Sequence, residues 1–155
     1  MDWETLYSLA LQIATLAHAG QPDKGGHDYI GHPLRVAERC ATPQAKIVAL
    51  LHDTLEDTPV TAQYLTQQGF PDLIVEALQS LTRNRDEDYD DYISRAASNP
   101  IGRQVKLADL EDNMDLRRLP SITDRDVERL RKYLRAWHRL NSLPPDGNHC
   151  RPKPV

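Results

Sequence analysis

At 155 residues, with 39% hydrophobic and 27% charged side chains, the chain has the size and balance of a globular domain with its own core. Its net charge of −4 excludes general binding of nucleic acid through a basic face. No apolar run is long enough to cross a bilayer, and Met1-Asp2-Trp3-Glu4 lacks the positive start of a signal peptide, so a cytoplasmic protein without a membrane partner is expected.

The pattern is helical almost throughout. Leu6, Leu9, Ala10, Ile13, Leu16 and Ala17 recur at helical spacing, and Gly20 ends that helix. A loop follows from Gln21 to Asp28, and Pro33 suits the first turn of a second helix running to about Cys40. Pro43 opens a third helix through Ile47, Val48, Leu50 and Leu51, which must stop before Pro59. Thr61 caps a short helix ending near Gly69, and Pro71 opens another with Leu73, Ile74, Val75, Ala77, Leu78 and Leu81 as its core side. The polar stretch Arg83 to Asp91 reads as a loop entering a helix over Tyr89 to Ala97. After a break at Asn99-Pro100, a helix covers Val105 to about Leu116, and Asp124 caps a last helix from Val127 to Leu140.

Period-two alternation is almost absent. The expected fold is therefore all-α, a compact assembly of roughly seven to eight helices with little or no sheet. Residues 1–142 are expected to form this domain, with a proline-rich tail over residues 143–155. Cys40 and Cys150 sit far apart without a C-x-x-C pair, as expected of reduced thiols.

Chemistry concentrates in three segments. In Leu51-His52-Asp53-Thr54-Leu55-Glu56-Asp57, His52 and Glu56 are four apart, as are Asp53 and Asp57. On one helix such pairs share a face, so they can surround a single point. Tyr29-Ile30-Gly31-His32-Pro33 places a histidine just before a helix start. Val105-Lys106-Leu107-Ala108-Asp109 puts a carboxylate in an apolar stretch, which is costly unless a partner or metal neutralises it.

In order and rough separation, these segments resemble the HD superfamily. More narrowly, they resemble the hydrolase domain of RelA/SpoT-type alarmone enzymes and their small stand-alone relatives. The resemblance runs from Ala17-His18-Ala19-Gly20-Gln21 and Lys24-Gly25, through His32-Pro33 and His52 to Thr58, to Leu81-Thr82, Asp109 and Asn113, within about residues 5 to 140. It implies a compact HD-type helical fold and one divalent metal ion held by His32, His52, Asp53 and Asp109, with Mn²⁺ the expected ion. Such a mixed nitrogen and oxygen set suits Mn²⁺, Fe²⁺ or Zn²⁺ better than Ca²⁺.

The resemblance further implies a metal-dependent phosphohydrolase acting on a nucleotide through a metal-activated water. The expected substrate is ppGpp, cleaved at its 3′-diphosphate, as in the stringent response. Glu56 and Asp57 would orient the water or accept its proton, without a division of work between them. Lys24, Asn113, Arg129 and Tyr133 would bind the nucleotide, and His18 would support the first helix. Arg83, Arg103, Arg117 and Arg118 read first as surface charges. Two alternatives stand beside this reading: an HD phosphohydrolase for another nucleotide or small phosphate ester, and a nucleotide-binding sensor without turnover. The oligomeric state is left open.

The chain departs from the family at two places. Asp23 stands where alarmone hydrolases usually carry an arginine that packs on guanine, and a carboxylate cannot replace a stacking guanidinium. Asp112 and Asp115, beside Asn113, occupy a region where related enzymes often carry a basic residue. Both changes spare the metal ligands and bear on recognition of the base.

Overall fold

A computed structural model describes residues 1–144; most of the expected tail, including His149 and Cys150, lies outside the described residues. Within them run α1 (Trp3–Ala17), α2 (Gly31–Glu38), α3 (Pro43–Leu51), α4 (Thr54–Asp57) and α5 (Ala62–Gln67). Then follow α6 (Asp72–Ser80), α7 (Tyr89–Ser98), α8 (Pro100–Asn113), a 3-10 turn (Leu116–Arg118) and α9 (Asp124–Ser142). The one β-type feature among the described residues is an isolated bridge between Pro22 and Asp28. The all-α expectation is borne out.

α3 is central because its second half is apolar on every side. Ala45, Ile47, Val48, Ala49, Leu50 and Leu51 are all buried, and a stretch such as Ile47 to Leu51 has no face to give to water, whereas Pro43, Gln44 and Lys46 at its start keep some exposure. It packs against α1, α2 and α8. Each fully buried leucine or isoleucine here contributes about 1.5–3 kcal/mol. A second cluster, with Tyr92, Ile93, Leu110, Ala136 and Leu140, joins α7, α8 and α9. α8 belongs to both, giving Val105 and Ala108 to the first cluster and Leu110 to the second.

Several boundaries differ from the sequence expectation: the helix expected over Val105 to about Leu116 is Pro100–Asn113, and three others differ for a clear local reason. The helix expected to run on from Pro43 breaks at His52-Asp53 and resumes as α4. His52 Nδ1 bonds to the Ala49 carbonyl at 2.6 Å and Thr54 Oγ1 to the Leu51 carbonyl at 2.7 Å. These side chains take acceptors that a continuing helix would use. α2 begins at Gly31, so His32 sits inside its first turn and is buried. α9 is capped by Thr123 rather than Asp124, because Thr123 is extended and Asp126 returns the bond to its N–H, closing a capping box.

The expected break at Asn99-Pro100 is a cap between two helices. Asn99 accepts from the Gly102 N–H at 2.8 Å, and Pro100 fills the first position of α8. Further on, Arg103 of α8 donates to the carbonyls of Leu140, Leu143 and Pro144, at 2.9 Å to the last. It thus satisfies the C-terminal end of α9 and does not face the cavity described below.

Gly102 lies where α8 meets α6. A Cβ there would come within 2.2 Å of Ser80 Oγ and 3.3 Å of the Ala96 carbonyl. In isolation, Gly→Ala in a helix gains up to about 1 kcal/mol. Here overpacking reverses the sign: Gly102→Ala is expected to lose about 1–3 kcal/mol in urea unfolding. A gain in stability would contradict this packing.

The loop before α7 is pinned by Arg95, whose guanidinium donates to Glu87 at 2.8 and 2.9 Å, to the Gln79 carbonyl at 2.7 Å and to the Thr82 carbonyl at 2.6 Å. The hydrogen bonds from Arg95 outweigh burial and, with the Asn84 N–H, hold the Glu87 carboxyl down at about 2, from an ordinary value of 4.5. A depressed carboxylate contributes stability above its unfolded value and loses it as pH falls through its folded one. Glu87→Gln should therefore lower Tm at pH 7, with the gap closing as pH falls from 4.5 toward about 2. A gap independent of pH would contradict the pairing.

Candidate functional site

The site forms where the α1–α2 loop, the α3–α4 break and α8 meet. The loop turns on Asp23, whose Oδ1 accepts from the N–H groups of Gly25 and His27 at 2.8 and 2.9 Å. Gly25 lies so close to the 3-10 turn that a Cβ would sit 2.8 Å from the Arg118 carbonyl. Lys24, between them, lines a cavity of about 480 Å³. His18 meets this loop: Nδ1 lies 2.9 Å from Gln21 Oε1 and its ring lies 4.8 Å from that of Tyr29.

His32, His52 and Asp109 converge on the cavity wall, all buried, with one potential ligand atom from each within 4.8 Å of the others. His32 Nε2 lies 3.1 Å from Asp109 Oδ1, and His52 Nε2 lies 3.4 Å from the same oxygen. Asp53 joins from the histidine side: its Oδ2 is 3.2 Å from His52 Nε2 and 3.8 Å from His32 Nε2. The Tyr29 hydroxyl donates to that Asp53 oxygen.

This donor set suits a divalent ion. His52 Nδ1 meets an acceptor-only carbonyl, that of Ala49, so it carries a proton, and the neutral ring that binds a metal leaves Nε2 as the lone pair. Nε2 is buried and makes no hydrogen bond although two carboxylate oxygens lie within 3.4 Å. A buried orphan of this kind calls for a partner, and a cation amid two imidazoles and two carboxylates is one.

The electrostatics carry the same imprint. Burial would raise the Asp109 carboxyl, but Lys106 and the two histidines hold it well below the usual range. Burial would lower His52, but Asp53, Asp109 and the Ala49 carbonyl push it up to about 9. Lys106 is 2.8 Å from Asp109 Oδ2, lies 5.2 Å over the Tyr92 ring and has a side chain only 12% exposed. Asn113 donates to Asp109 Oδ1 at 2.8 Å, so its amide orients this carboxylate in addition to lining the cavity.

The two acids after the α3–α4 break part company. Both are exposed, but Glu56 is on the cavity wall and accepts from the Arg83 N–H, whereas Asp57 is not among the lining residues. Burial raises the Glu56 carboxyl despite that N–H, and the neighbouring Asp53 and Asp57 add to the effect.

The opposite wall is cationic and aromatic. Arg129 and Tyr133 of α9 face the cavity, with Arg129 paired to Asp126. Lys132 lies 4.7 Å over the Tyr89 ring and 5.5 Å over the Tyr133 ring, and Arg83 lies 5.6 Å over Tyr89. Burial and the nearby Arg129, Lys132 and Arg118 together lower the Lys24 ammonium, against the pull of Asp126. Burial, Arg83, Lys106 and Arg129 do the same to Lys132. An anion seated here relieves this mutual repulsion. Arg117 points away and pairs with Asp115, with an 88% exposed side chain.

The sequence reading passed over Lys106, Lys132 and Tyr89. Lys106 carried a signal, since it stands three positions before the apolar-stretch acid Asp109. Lys132 carried none, because α9 presents charges over most of its surface.

No protein-family model matches the chain. It is 32% identical over 117 residues to the guanosine-3′,5′-bis(diphosphate) 3′-pyrophosphohydrolase of Aquifex aeolicus, covering 68% of this chain and 17% of that protein. It is 36% identical over 80 residues to the bifunctional (p)ppGpp synthase/hydrolase SpoT of Escherichia coli K12, covering 48% of this chain and 11% of that one. The chain thus spans less than a fifth of the curated relatives it matches. A solved structure of a metazoan ortholog of SpoT that hydrolyses ppGpp superposes with a TM-score of 0.74, at 21% identity, over 92% of this chain and 89% of that one. That likeness shows the fold. Taken with the relatives in sequence, it makes the chain an HD-type, RelA/SpoT hydrolase-like domain.

Proposed function

We propose that this chain is a Mn²⁺-dependent phosphohydrolase that removes the 3′-diphosphate of ppGpp, releasing GDP and pyrophosphate. The observation that carries this reading is the buried histidine–carboxylate cluster on one side of a cavity whose other side is cationic. The similar proteins named as 3′-pyrophosphohydrolases support it.

His32, His52, Asp53 and Asp109 would hold the ion. When bound, a divalent ion supplies Lewis acidity toward the phosphoryl group and the attacking water. Glu56 takes the water's proton on a carboxylate oxygen; its raised basicity suits that task near neutral pH. The Arg83 N–H fixes the carboxylate's position. Lys24, Arg129 and Lys132 meet the phosphate oxygens as negative charge develops on the leaving group. Tyr133 and Tyr89 form the apolar part of the wall, and Asn113 keeps Asp109 turned toward the histidines. Asp57, outside the cavity lining, adds negative charge beside Glu56 and Asp53.

A second reading keeps this chemistry for a different nucleotide, and Asp23 favours it. Its Oδ1 is taken by the loop's own N–H groups, and its buried Oδ2, which makes no hydrogen bond, lies 3.6 Å from Arg118, so a carboxylate turned into the loop stands where a guanidinium would stack on the base. A panel of ppGpp, dinucleoside phosphates and deoxynucleotides with Mn²⁺ separates the two: turnover of ppGpp alone supports the first reading, and turnover of another member in its place supports the second. Tight nucleotide binding with no product from any member would identify a sensor.

Three further outcomes are expected. Glu56→Gln should lower kcat by about 10²–10⁴-fold while elemental analysis finds the ion retained; undiminished turnover would remove Glu56 from the reaction. EDTA should abolish hydrolysis, and Mn²⁺ should restore it. Mn²⁺ at about a hundred times its Kd should stabilise the protein by about 2.7 kcal/mol, and His52→Gln should lose most of that gain. An equal gain in His52→Gln would place the ion elsewhere.

A further inference from the structure

We propose that Asp112 is a positioning residue for the metal ligand His32, holding the imidazole with its proton on Nδ1 so that Nε2 faces the ion. The inference rests on the metal-centre reading above and assigns a role to a residue that the chemistry there does not use.

Asp112 sits on α8 one turn beyond Asp109, and its side chain is fully buried. A buried carboxylate must be paired, and this one is paired several times over. Arg35 Nε donates to Oδ1 at 2.9 Å and Arg35 Nη2 to Oδ2 at 3.2 Å. Arg118 Nη2 lies 3.3 Å from Oδ2 and donates to the Asp112 carbonyl at 2.8 Å. Two guanidinium groups, one from α2 and one from the 3-10 turn, therefore keep the carboxylate charged.

The remaining short contact is His32 Nδ1 to Asp112 Oδ2, at 2.7 Å. A charged carboxylate can only accept, so Nδ1 must donate. A neutral imidazole protonated on Nδ1 presents its lone pair on Nε2. That atom lies 3.1 Å from Asp109 Oδ1 and 3.8 Å from Asp53 Oδ2. One turn of α8 thus brackets the ring, with Asp112 at one nitrogen and Asp109 at the other. Removal of Asp112 would free the ring to turn over or to move its proton to Nε2, where it blocks coordination. An outer partner of this type also raises the basicity of the ligand.

The test uses the full chain, ¹⁵N-labelled, with Zn²⁺ as a diamagnetic probe. Long-range ¹H–¹⁵N correlation should show His32 with a proton on Nδ1 and a Zn²⁺-shifted Nε2. Asp112→Asn should weaken Zn²⁺ binding by about 10–100-fold in calorimetry while helical circular dichroism is retained. Zn²⁺ on Nδ1, or an unprotonated Nδ1, would overturn the proposal and leave the metal centre standing. So would an unchanged Zn²⁺ affinity in Asp112→Asn. If that variant does not fold, the wild-type spectrum decides alone. If the wild-type chain binds no Zn²⁺, the metal centre and this proposal fall together.

Discussion

The structure depends on one constraint: a carboxylate, that of Asp109, buried on the central helix α8 and surrounded by groups that keep it charged. Lys106 lies 2.8 Å from one oxygen; His32, His52 and Asn113 crowd the other at 3.1, 3.4 and 2.8 Å. Burial of an unpaired carboxylate would be prohibitive, so these four groups must arrive together. Their arrival fixes the relation of α2, α3 and α8, which are the elements packed around the main core. Fold and site are therefore one problem: α3 delivers His52 through the buried apolar stretch Ile47 to Leu51 that precedes it, and α2 delivers His32 by docking on α8.

Around that anchor the charges divide into two sides. Asp53, Glu56 and Asp109 make the histidine side acidic, whereas Lys24, Arg129 and Lys132 make the α9 side basic. The acidic side suits a cation and the proton of a water, and the basic side suits phosphate. The net charge of −4 is no obstacle, because the cations that matter are local to the cavity. Arg118 links the two sides, touching Asp112 behind His32 and Asp23 in the loop that carries Lys24.

The all-α architecture was legible in the sequence because apolar spacing, prolines and caps agreed along most of the chain. The meeting of His32, His52 and Asp109 was legible only through resemblance, since periodicity says nothing about residues 20 to 77 positions apart. The break after Leu51 was hidden, because it depends on His52 and Thr54 bonding to carbonyls that a propensity argument assigns to the helix. Asp112 was misleading: with Asp115 it read as an acid cluster bearing on recognition of the base, and its burial follows only once Arg35 from α2 and Arg118 from beyond α8 are brought to it. Thr123 displaced Asp124 as the cap of α9 because Asp126 completes a reciprocal pair with Thr123 alone.

The central claim is that four side chains from three separate segments grip one cation. Anomalous diffraction at the manganese edge, from crystals soaked in Mn²⁺, tests it most directly. A single strong peak bonded to His32 Nε2, His52 Nε2 and carboxylate oxygens of Asp53 and Asp109 is expected. A well-ordered cluster with no anomalous peak, or a peak bonded elsewhere in the molecule, would contradict it.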